Sequence, residues 1–209
     1  MPNLPDSATK PPGRPRTTSR DEVQRVALRL FAEQGFDQTT LDDIANAVRV
    51  SRRTLFRYYA SKNDIVWGEF SEHLAGLRGG LAAAPAEEPL MDVLRRAVVA
   101  FNDYGKQELP ELRIRMTLIT TVPTLQGHSM LRYRDWCDVI AEFVAARLGR
   151  DTHDHVPQVV ANAALGTAMA TYQHWITHPE VDLLEELDQA FRLLAGGFDE
   201  KLLAAQSRQ

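Results

Sequence analysis

Four hydrogen-bond donors fall within six residues of the chain: Arg52, Arg53, Thr54 and Arg57. An arginine guanidinium is a planar fork that can bond O6 and N7 of guanine bidentately, and a threonine can donate to a phosphate or touch a thymine methyl. The alternative is that such an arginine-rich turn is only a solvated helix face. The choice between the two depends on whether the flanking residues build a scaffold that points these donors outward.

The flanking residues predict two short helices separated by a tight turn. Thr40 can cap the first helix and Ser51 the second, since both residue types accept hydrogen bonds from the free N–H groups of a helix start. The apolar residues of this stretch would pack the two helices together and leave the donors outside, as a DNA recognition helix requires. They are Leu41, Ile44, Ala45, Val48, Val50, Leu55 and Tyr59.

Two further helices are predicted to flank this pair. Ser19 and Glu22 have the spacing of a capping box, and the helix that they begin can end at Gly35. A fourth helix is predicted to start near Ser61 or Lys62 and to run to about Leu77. Tyr58 and Lys62 lie at the junction of the third and fourth helices, where they would suit contacts to backbone phosphates.

Residues 1–18 contain several prolines and no hydrophobic period, which predicts a disordered arm. Within it, Arg14 and Arg16 alternate with glycine and proline. Arginines on a narrow, extended chain favour the negative potential of a narrow minor groove. The alternative, a solubilising tail with no DNA contact, has equal weight.

Charge is unevenly distributed, although the net charge of the 209 residues is only −4. Up to Asp64, Lys plus Arg outnumber Asp plus Glu by 11 to 8, whereas from Ile65 onward the balance is 13 to 20. This asymmetry indicates that the N-terminal part meets a polyanion.

Composition also predicts the compartment. The single cysteine, Cys137, allows no intrachain disulfide, and the polar N-terminus has no apolar core of the length that a signal peptide needs. The apolar stretch 159–176 is interrupted by polar residues and is interpreted as a buried interface helix, not a membrane span. We therefore expect a cytoplasmic protein with no membrane partner.

Helical periodicity continues to the C-terminus without useful strand alternation, which predicts an all-α fold of about nine helices. Gly79, Gly80 and residues 82–89 are predicted as a loop. The predicted domains are residues 19–66, a helix-turn-helix domain, and residues 67–209, a helical effector-binding and dimerisation domain. The remaining helices are predicted near 90–104, 112–121, 125–148, 156–177 and 183–204.

Residues 20–66 resemble the DNA-binding domain of the TetR family of bacterial regulators through the run LFAEQGFDQTTLDDIANAVRVSRRTLFRYYASKNDIV. The resemblance implies an all-helical homodimer on double-stranded DNA, with the third helix in the major groove and an effector pocket in the C-terminal domain. Carried over by position, it implies that Thr40 is a cap and phosphate contact, that Ser51, Arg52, Arg53 and Thr54 open the recognition helix, that Phe56 and Tyr58 contact DNA, and that Lys62 meets a phosphate.

One position departs from the family pattern. The turn before the recognition helix usually has a glycine, where this chain has Arg49. A left-handed backbone at a non-glycine residue costs on the order of 1 kcal/mol. Either the turn adjusts, or an Arg49–phosphate contact offsets the strain.

The C-terminal domain is predicted to hold both a ligand and a second subunit. Helices 156–177 and 183–204 could form a four-helix bundle across a two-fold axis, although an intrachain core is the alternative. Large side chains of the middle helices could line an apolar pocket. The predicted ligand-binding residues are Trp67, Phe70, Phe101, Met116, Ile119, Met130, Tyr133, Trp136 and Tyr172. Candidates for an anionic head group are Arg113, Arg115, Arg132 and Arg134.

Two longer runs, SRRTLFRYYASKNDIVWGEF and TTVPTLQGHSMLRYRDWCDVIAEFVAARLG, are similar to a narrower TetR branch linked to mycofactocin biosynthesis. That resemblance implies a small hydrophobic effector of the long-chain acyl-CoA class. The tail would suit the apolar middle of the domain, and the CoA phosphates would suit arginines.

The sequence thus predicts a ligand-responsive repressor with no cofactor, no catalytic residues and no metal. The alternatives are an enzyme and a helical scaffold without a DNA role. No HExxH, GxSxG or phosphate-loop motif supports an enzyme. His153 and His155 flank Asp154, but an H-x-H in a loop is more often solvated than metal-bound.

Overall fold

A computed structural model describes residues 18–197 of the chain, and within them every regular element is a helix. Ten helices are present in this range, one more than predicted for the whole chain. In chain order they are α1 (Arg20–Gln34), α2 (Leu41–Ala47), α3 (Arg52–Tyr58), α4 (Lys62–Trp67), α5 (Phe70–Ala82), α6 (Leu90–Phe101), α7 (Leu109–Thr121), α8 (Pro123–Leu148), α9 (His155–Thr177) and α10 (Leu183–Ala195).

The first four helices begin where the caps predict. The hydroxyl oxygens of Ser19, Thr40, Ser51 and Ser61 each accept a hydrogen bond from the backbone N–H three residues later. At Thr40 the cap's own N–H donates in turn to the carboxylate of Asp43, which completes a capping box. Short helices gain much from such caps because so few of their N–H groups have partners inside the helix.

The predicted fourth helix is two helices, α4 and α5, because the chain breaks at Gly68. Gly68 has φ +56° and ψ −129°, a conformation that side-chain-bearing residues rarely adopt. The Gln24 side chain of α1 lies against it and donates to the carbonyls of Ile65 and Val66 at 3.0 and 3.3 Å. A long-range contact therefore ends α4 early.

The loop predicted at Gly79 and Gly80 was wrong, since α5 continues through both to Ala82. Leu74, Leu77 and Leu81 are buried along one side of this helix. Burial of these leucines outweighs the cost of roughly 1 kcal/mol that each glycine carries inside a helix.

A single core runs through the described residues. α9 packs between α8 and α10, α6 packs against α5 and α10, and α1 contacts both α4 and α7. Trp175 and Phe191 are fully buried at the α9–α10 contact region of this core. The helix predicted over residues 183–204 was too long, since α10 ends at Ala195 with its C-cap at Gly196; residues 198–204 of that prediction lie outside the described residues. No helix between residues 18 and 197 combines the length and the apolar character needed to cross a bilayer.

Candidate DNA-binding surface and effector pocket

Helix α3 presents its polar side to solvent. Leu55 is buried beneath it, whereas the side chains of Arg52, Arg53 and Arg57 are exposed. Phe56 lies on the same side of the helix and is 45% exposed. The surface thus combines three cations with one apolar ring, groups that could meet base edges and a thymine methyl.

Contacts on this surface hold Arg52 in place. Its Nη1 lies 3.3 Å from Oδ2 of Asp42 on α2, and its guanidinium lies 5.6 Å from the centre of the Phe56 ring. Both partners of the ion pair are exposed, so the pair adds little stability. It does orient the guanidinium beside the exposed ring, and the carboxylate would have to release it before it could bond a base.

The turn between α2 and α3 takes the left-handed conformation at Arg49, where φ is +56°. The N–H of Arg49 donates to the carbonyl of Asn46 at 3.1 Å, and the N–H of Val50 donates to that of Ala45 at 2.9 Å. These two bonds are the Schellman arrangement that usually places glycine at the left-handed position. The turn therefore does not adjust to Arg49, and the strain remains to be offset.

Thr40, the predicted cap and phosphate contact, lies at the start of α2. Its hydroxyl donates to Oδ2 of Asp43 at 2.6 Å, and its N–H donates to the same oxygen at 2.8 Å. These hydrogen bonds hold the pKa of the Asp43 carboxyl below its ordinary value. Ser51 is engaged similarly at α3, since its Oγ lies 2.8 Å from Oγ1 of Thr54.

Tyr58 and Lys62 both have partners inside the domain. The Tyr58 hydroxyl donates to the carbonyl of Thr18 at 2.6 Å, so the last residue of the predicted arm is bonded to α3. The Lys62 ammonium donates to the carbonyls of Phe36 and Thr39 at 2.6 and 3.0 Å, and burial lowers its pKa. Their DNA contacts stay predictions. Arg14 and Arg16 lie outside the described residues.

An apolar cavity of about 60 Å³ lies among α4 to α9. Eight of the nine predicted ligand-binding residues line it: Trp67, Phe70, Phe101, Met116, Ile119, Tyr133, Trp136 and Tyr172. The ninth, Met130, does not line it and is 66% exposed on α8. Trp136 is buried on the same helix, whereas Met130 projects to the outside, so the helix face decides which residues reach the cavity.

Three polar residues line the cavity that were not among the residues predicted from the sequence. They are His73, Asn102 and Tyr104. Asn102 accepts a hydrogen bond from the Tyr172 hydroxyl, and burial raises the pKa of both Tyr104 and Tyr172. The apolar pattern gives no signal for His73 or Asn102, because their position depends on how α5, α6 and α9 pack.

Of the four arginines proposed for an anionic head group, only Arg115 reaches the cavity. Arg113 donates to the carbonyl of Trp175 and stacks on its ring, with 3.9 Å from guanidinium carbon to ring centre. Arg132 pairs with Asp64 at 3.4 Å, and Arg134 is exposed on α8. Arg113 and Arg132 therefore have structural partners within the fold.

The cavity and the DNA-binding helices meet at α4. Trp67 and Phe70, one on each side of Gly68, both line the cavity, with their ring centres 5.0 Å apart. At the other end of α4, Asp64 lies 3.3 Å from Nε2 of His128 and within reach of Arg132 on α8. A change in cavity volume would therefore act directly on the helix that follows α3.

One side of α9 is exposed and carries small residues. Asn162, Gly166 and Ala170 lie along it, and Val159 is 50% exposed near its start. Small residues allow a second helix to approach closely, and an exposed valine at the same surface is apolar area left uncovered in one chain. This face corresponds to the first of the two helices predicted for the dimer interface.

Two protein families match this chain. Residues 88–199 match the family described as the MftR C-terminal domain, and residues 25–66 match the bacterial regulatory proteins of the tetR family. The first match covers more than half of the chain and contains most of the cavity-lining residues. The second contains α2, α3 and all of α4 except its last residue, Trp67.

Relatives match along most of their length. The chain is 46% identical over 187 residues to the mycofactocin biosynthesis transcriptional regulator MftR of Mycobacterium tuberculosis, which covers 90% of this chain and 94% of that protein. It is 31% identical over 180 residues to the HTH-type transcriptional regulator TcmR of Streptomyces glaucescens, with 83% and 79% covered. Among solved structures, FadR of Thermus thermophilus, a TetR-family repressor in complex with lauroyl-CoA, is 26% identical with a TM-score of 0.58, covering 85% of this chain and 93% of that one.

Proposed function

The chain belongs to the TetR family of bacterial transcriptional regulators, and we propose that it represses transcription by binding a palindromic operator as a homodimer that a small hydrophobic effector releases. Regulators of this family bind DNA as dimers and respond to small molecules. The predicted domains, residues 19–66 for DNA and 67–209 for effector and dimerisation, follow from the same proposal. Its location would be the cytoplasm, where the chromosome lies.

One observation carries the DNA-binding part of the proposal, namely the exposed face of α3. Arg52, Arg53 and Arg57 project from a helix whose opposite side is anchored by buried Leu55. A helix fixed on one side and cationic on the other suits insertion into a major groove. Ser51 and Thr54 at its start, Phe56 on its face, and Thr40, Arg49, Tyr58 and Lys62 around it are the further proposed contacts.

Dimerisation would set the distance between two copies of α3. We assign the exposed face of α9, together with α10, to this interface. A two-fold axis there matches a palindromic operator whose half-sites lie about one helical turn apart.

The effector that we propose is an acyl-CoA or a molecule of similar chemistry. Support comes from the aromatic and aliphatic lining of the cavity, from the match to the MftR C-terminal domain, and from the lauroyl-CoA complex of the Thermus FadR. A hydrocarbon tail buried against such a lining gains roughly 0.8 kcal/mol for each methylene removed from water.

Effector binding would have to enlarge the cavity. Its volume of about 60 Å³ is well below the roughly 300–1,000 Å³ of ligand pockets. Expansion displaces Trp67 and Phe70, which flank Gly68, and so moves α4 relative to α5. A shift of α4 carries α3 away from the operator spacing, and a differential affinity of about 1–3 kcal/mol between the two conformers makes a useful switch.

A gel shift on the DNA upstream of the chain's own gene, with and without lauroyl-CoA, tests this function. We expect a sequence-specific complex that weakens as salt rises, since arginine–phosphate contacts release counterions. Ligand should dissociate it. A protein that gives only sequence-independent binding, or none, would be the helical scaffold that the sequence left open. The relatives are transcriptional regulators, which are not enzymes.

Substitution of single arginines on α3 tests the same surface residue by residue. We expect Arg52→Ala and Arg53→Ala each to weaken operator binding by roughly 1–3 kcal/mol and to relax the preference at one base position. Arg134→Ala is the matched control, since it removes the same charge from an exposed position on α8. If both α3 variants bind every sequence as the parent does, another element reads the operator.

A further inference from the structure

Arg115 lies where two cavities meet. The apolar cavity described above and a polar cleft of about 400 Å³ among α1, α5 and α7 are both lined by His73, Tyr104 and Arg115. A molecule with a hydrocarbon tail and a polar end would therefore cross from one kind of surface to the other at this point.

The Arg115 guanidinium has no carboxylate partner among the described residues. Its Nε is buried without a hydrogen-bond acceptor there, and the guanidinium carbon lies 5.7 Å from the centre of the Tyr104 ring. Arg25, which lines the same cleft, differs in that its Nε lies 3.2 Å from a carboxylate oxygen of Glu111. A partly buried cation without an anionic partner is costly, so an acceptor brought by a ligand would gain more from Arg115 than from Arg25.

We propose that Arg115 donates to the acyl oxygen of the effector, either a carboxylate or a thioester carbonyl, while the acyl tail fills the apolar cavity. This inference rests on the proposed function. It adds that Arg115 determines how deeply the acyl tail enters the apolar cavity. A guanidinium fork can bond both oxygens of a carboxylate but only one carbonyl oxygen of a thioester.

The charge of the cleft should affect a free fatty acid and an acyl-CoA, the two possible sources of the acyl oxygen, differently. Carboxylates of Asp21, Glu69 and Glu108 line it beside Arg25 and Arg115. A fatty acid whose carboxylate binds Arg115 would not extend to these carboxylates. The phosphates of a CoA group would lie among them and be repelled. The two ligands must therefore be compared directly.

Dissociation constants measured on the full chain test the proposal, with laurate, lauroyl-CoA and dodecanol as probes. We expect the parent to bind at least one acyl probe about tenfold or more tightly than dodecanol, which has a similar tail and no acyl oxygen. Arg115→Met should abolish that preference while leaving dodecanol binding unchanged, and Arg115→Lys should restore part of it. Arg134→Met is the control for loss of a positive charge.

Two results would overturn the role of Arg115. The first is that the parent protein binds dodecanol as tightly as both acyl probes, or binds neither acyl probe. This result is decisive even if Arg115→Met fails to fold. The other is a folded Arg115→Met with the parent's acyl affinity. The gel shift judges the proposed function separately, because operator binding by the parent protein is measured there without any acyl probe. Comparing the dissociation constants of laurate and lauroyl-CoA identifies whether the acyl oxygen comes from a free carboxylate or from a thioester.

Discussion

The helices of the DNA-binding end and those of the effector end begin differently. α1 to α4 each start at a serine or threonine whose hydroxyl accepts a backbone N–H. α5 to α9 start without any side-chain cap, at residues such as Pro89, Val122 and Asp154, and only α10 is capped, by Asp182. The first region fixes its helices by local bonds, whereas the second depends on packing between helices.

Buried polar atoms follow the same division. Within the described residues, the buried side-chain atoms that lack a hydrogen-bond partner belong to Trp67, Arg95, Arg115 and His128. All four lie at or after the end of α4, and Trp67 and Arg115 line the apolar cavity. A region that reads DNA has to hold donors in fixed positions, whereas a region that receives a ligand can leave donors and volume for it.

The two regions are joined at Gly68. Gln24 of α1 holds the last carbonyls of α4, and Trp67 and Phe70 enter the cavity on either side of the break. The contact is close, since a Cβ built on Gly68 would lie 2.1 Å from Nε2 of Gln24. Gly68 thus joins the DNA-binding helices, which local bonds fix, to the effector domain, which depends on packing between helices.

The largest effect is expected from Gly68→Ala, which attacks this junction. Alanine at φ +56° is strained and its Cβ displaces Gln24, so we expect the free energy of unfolding to fall by about 3 kcal/mol. Urea unfolding at one fixed protein concentration measures it. Replacing Gln24 as well, in Gly68→Ala/Gln24→Ala, removes the clash and should make the double variant less destabilised than the sum of the single changes.

Gly76→Ala is the matched control on α5. A Cβ there meets nothing within 4 Å, and the residue lies on an exposed helical face. Alanine should therefore raise the stability by up to about 1 kcal/mol. Equal effects of Gly68→Ala and Gly76→Ala would mean that Gly68 is an ordinary flexible position and not a junction.

A smaller effect is expected from Thr40→Ala, which removes the capping box of α2. The change should cost about 1 kcal/mol of stability, whereas Thr40→Ser retains the oxygen and should cost much less. The bonds to Thr40 depress the pKa of the Asp43 carboxyl, so their contribution is present above its ordinary pKa and is lost as pH falls through the lowered value. The difference between the two variants should therefore shrink in acid; a difference that is constant with pH would exclude Asp43 from the cap.

What the sequence could predict follows the same division. The starts of α1 to α4 were predicted because a cap and its target lie three residues apart in the chain. The run that resembles the TetR family identified α3 as the recognition helix. The break at Gly68 was not predicted, since it depends on Gln24, which is distant in the sequence. Glycines inside a helix were mistaken for a loop at Gly79 and Gly80, where buried leucines decide the conformation.

The cavity was predicted in part for a related reason. Large apolar residues of the middle helices are core or pocket, and eight of nine chosen by type do line the cavity. Type does not give the direction of a side chain, so Met130 on the outer face of α8 was included and Tyr104 was not. His73 and Asn102 carry no apolar signal, and only the packing of α5 and α6 brings them to the cavity. The ligand contacts of the nine residues chosen from the sequence stay predictions.

The smallest and most specific effect is expected at Arg49, a non-glycine residue with a left-handed backbone in the DNA-binding region. Arg49→Gly should raise stability by about 1 kcal/mol because it relieves the left-handed backbone within the Schellman turn. If the guanidinium contacts a phosphate, the same variant should bind the operator less tightly and lower the slope of log affinity against log salt by about 0.9. Arg49→Lys retains both charge and strain and should change neither quantity much. A gain in stability with an unchanged salt slope would leave the strain without compensation in DNA binding, and the rigid region would then carry a cost that its function does not explain.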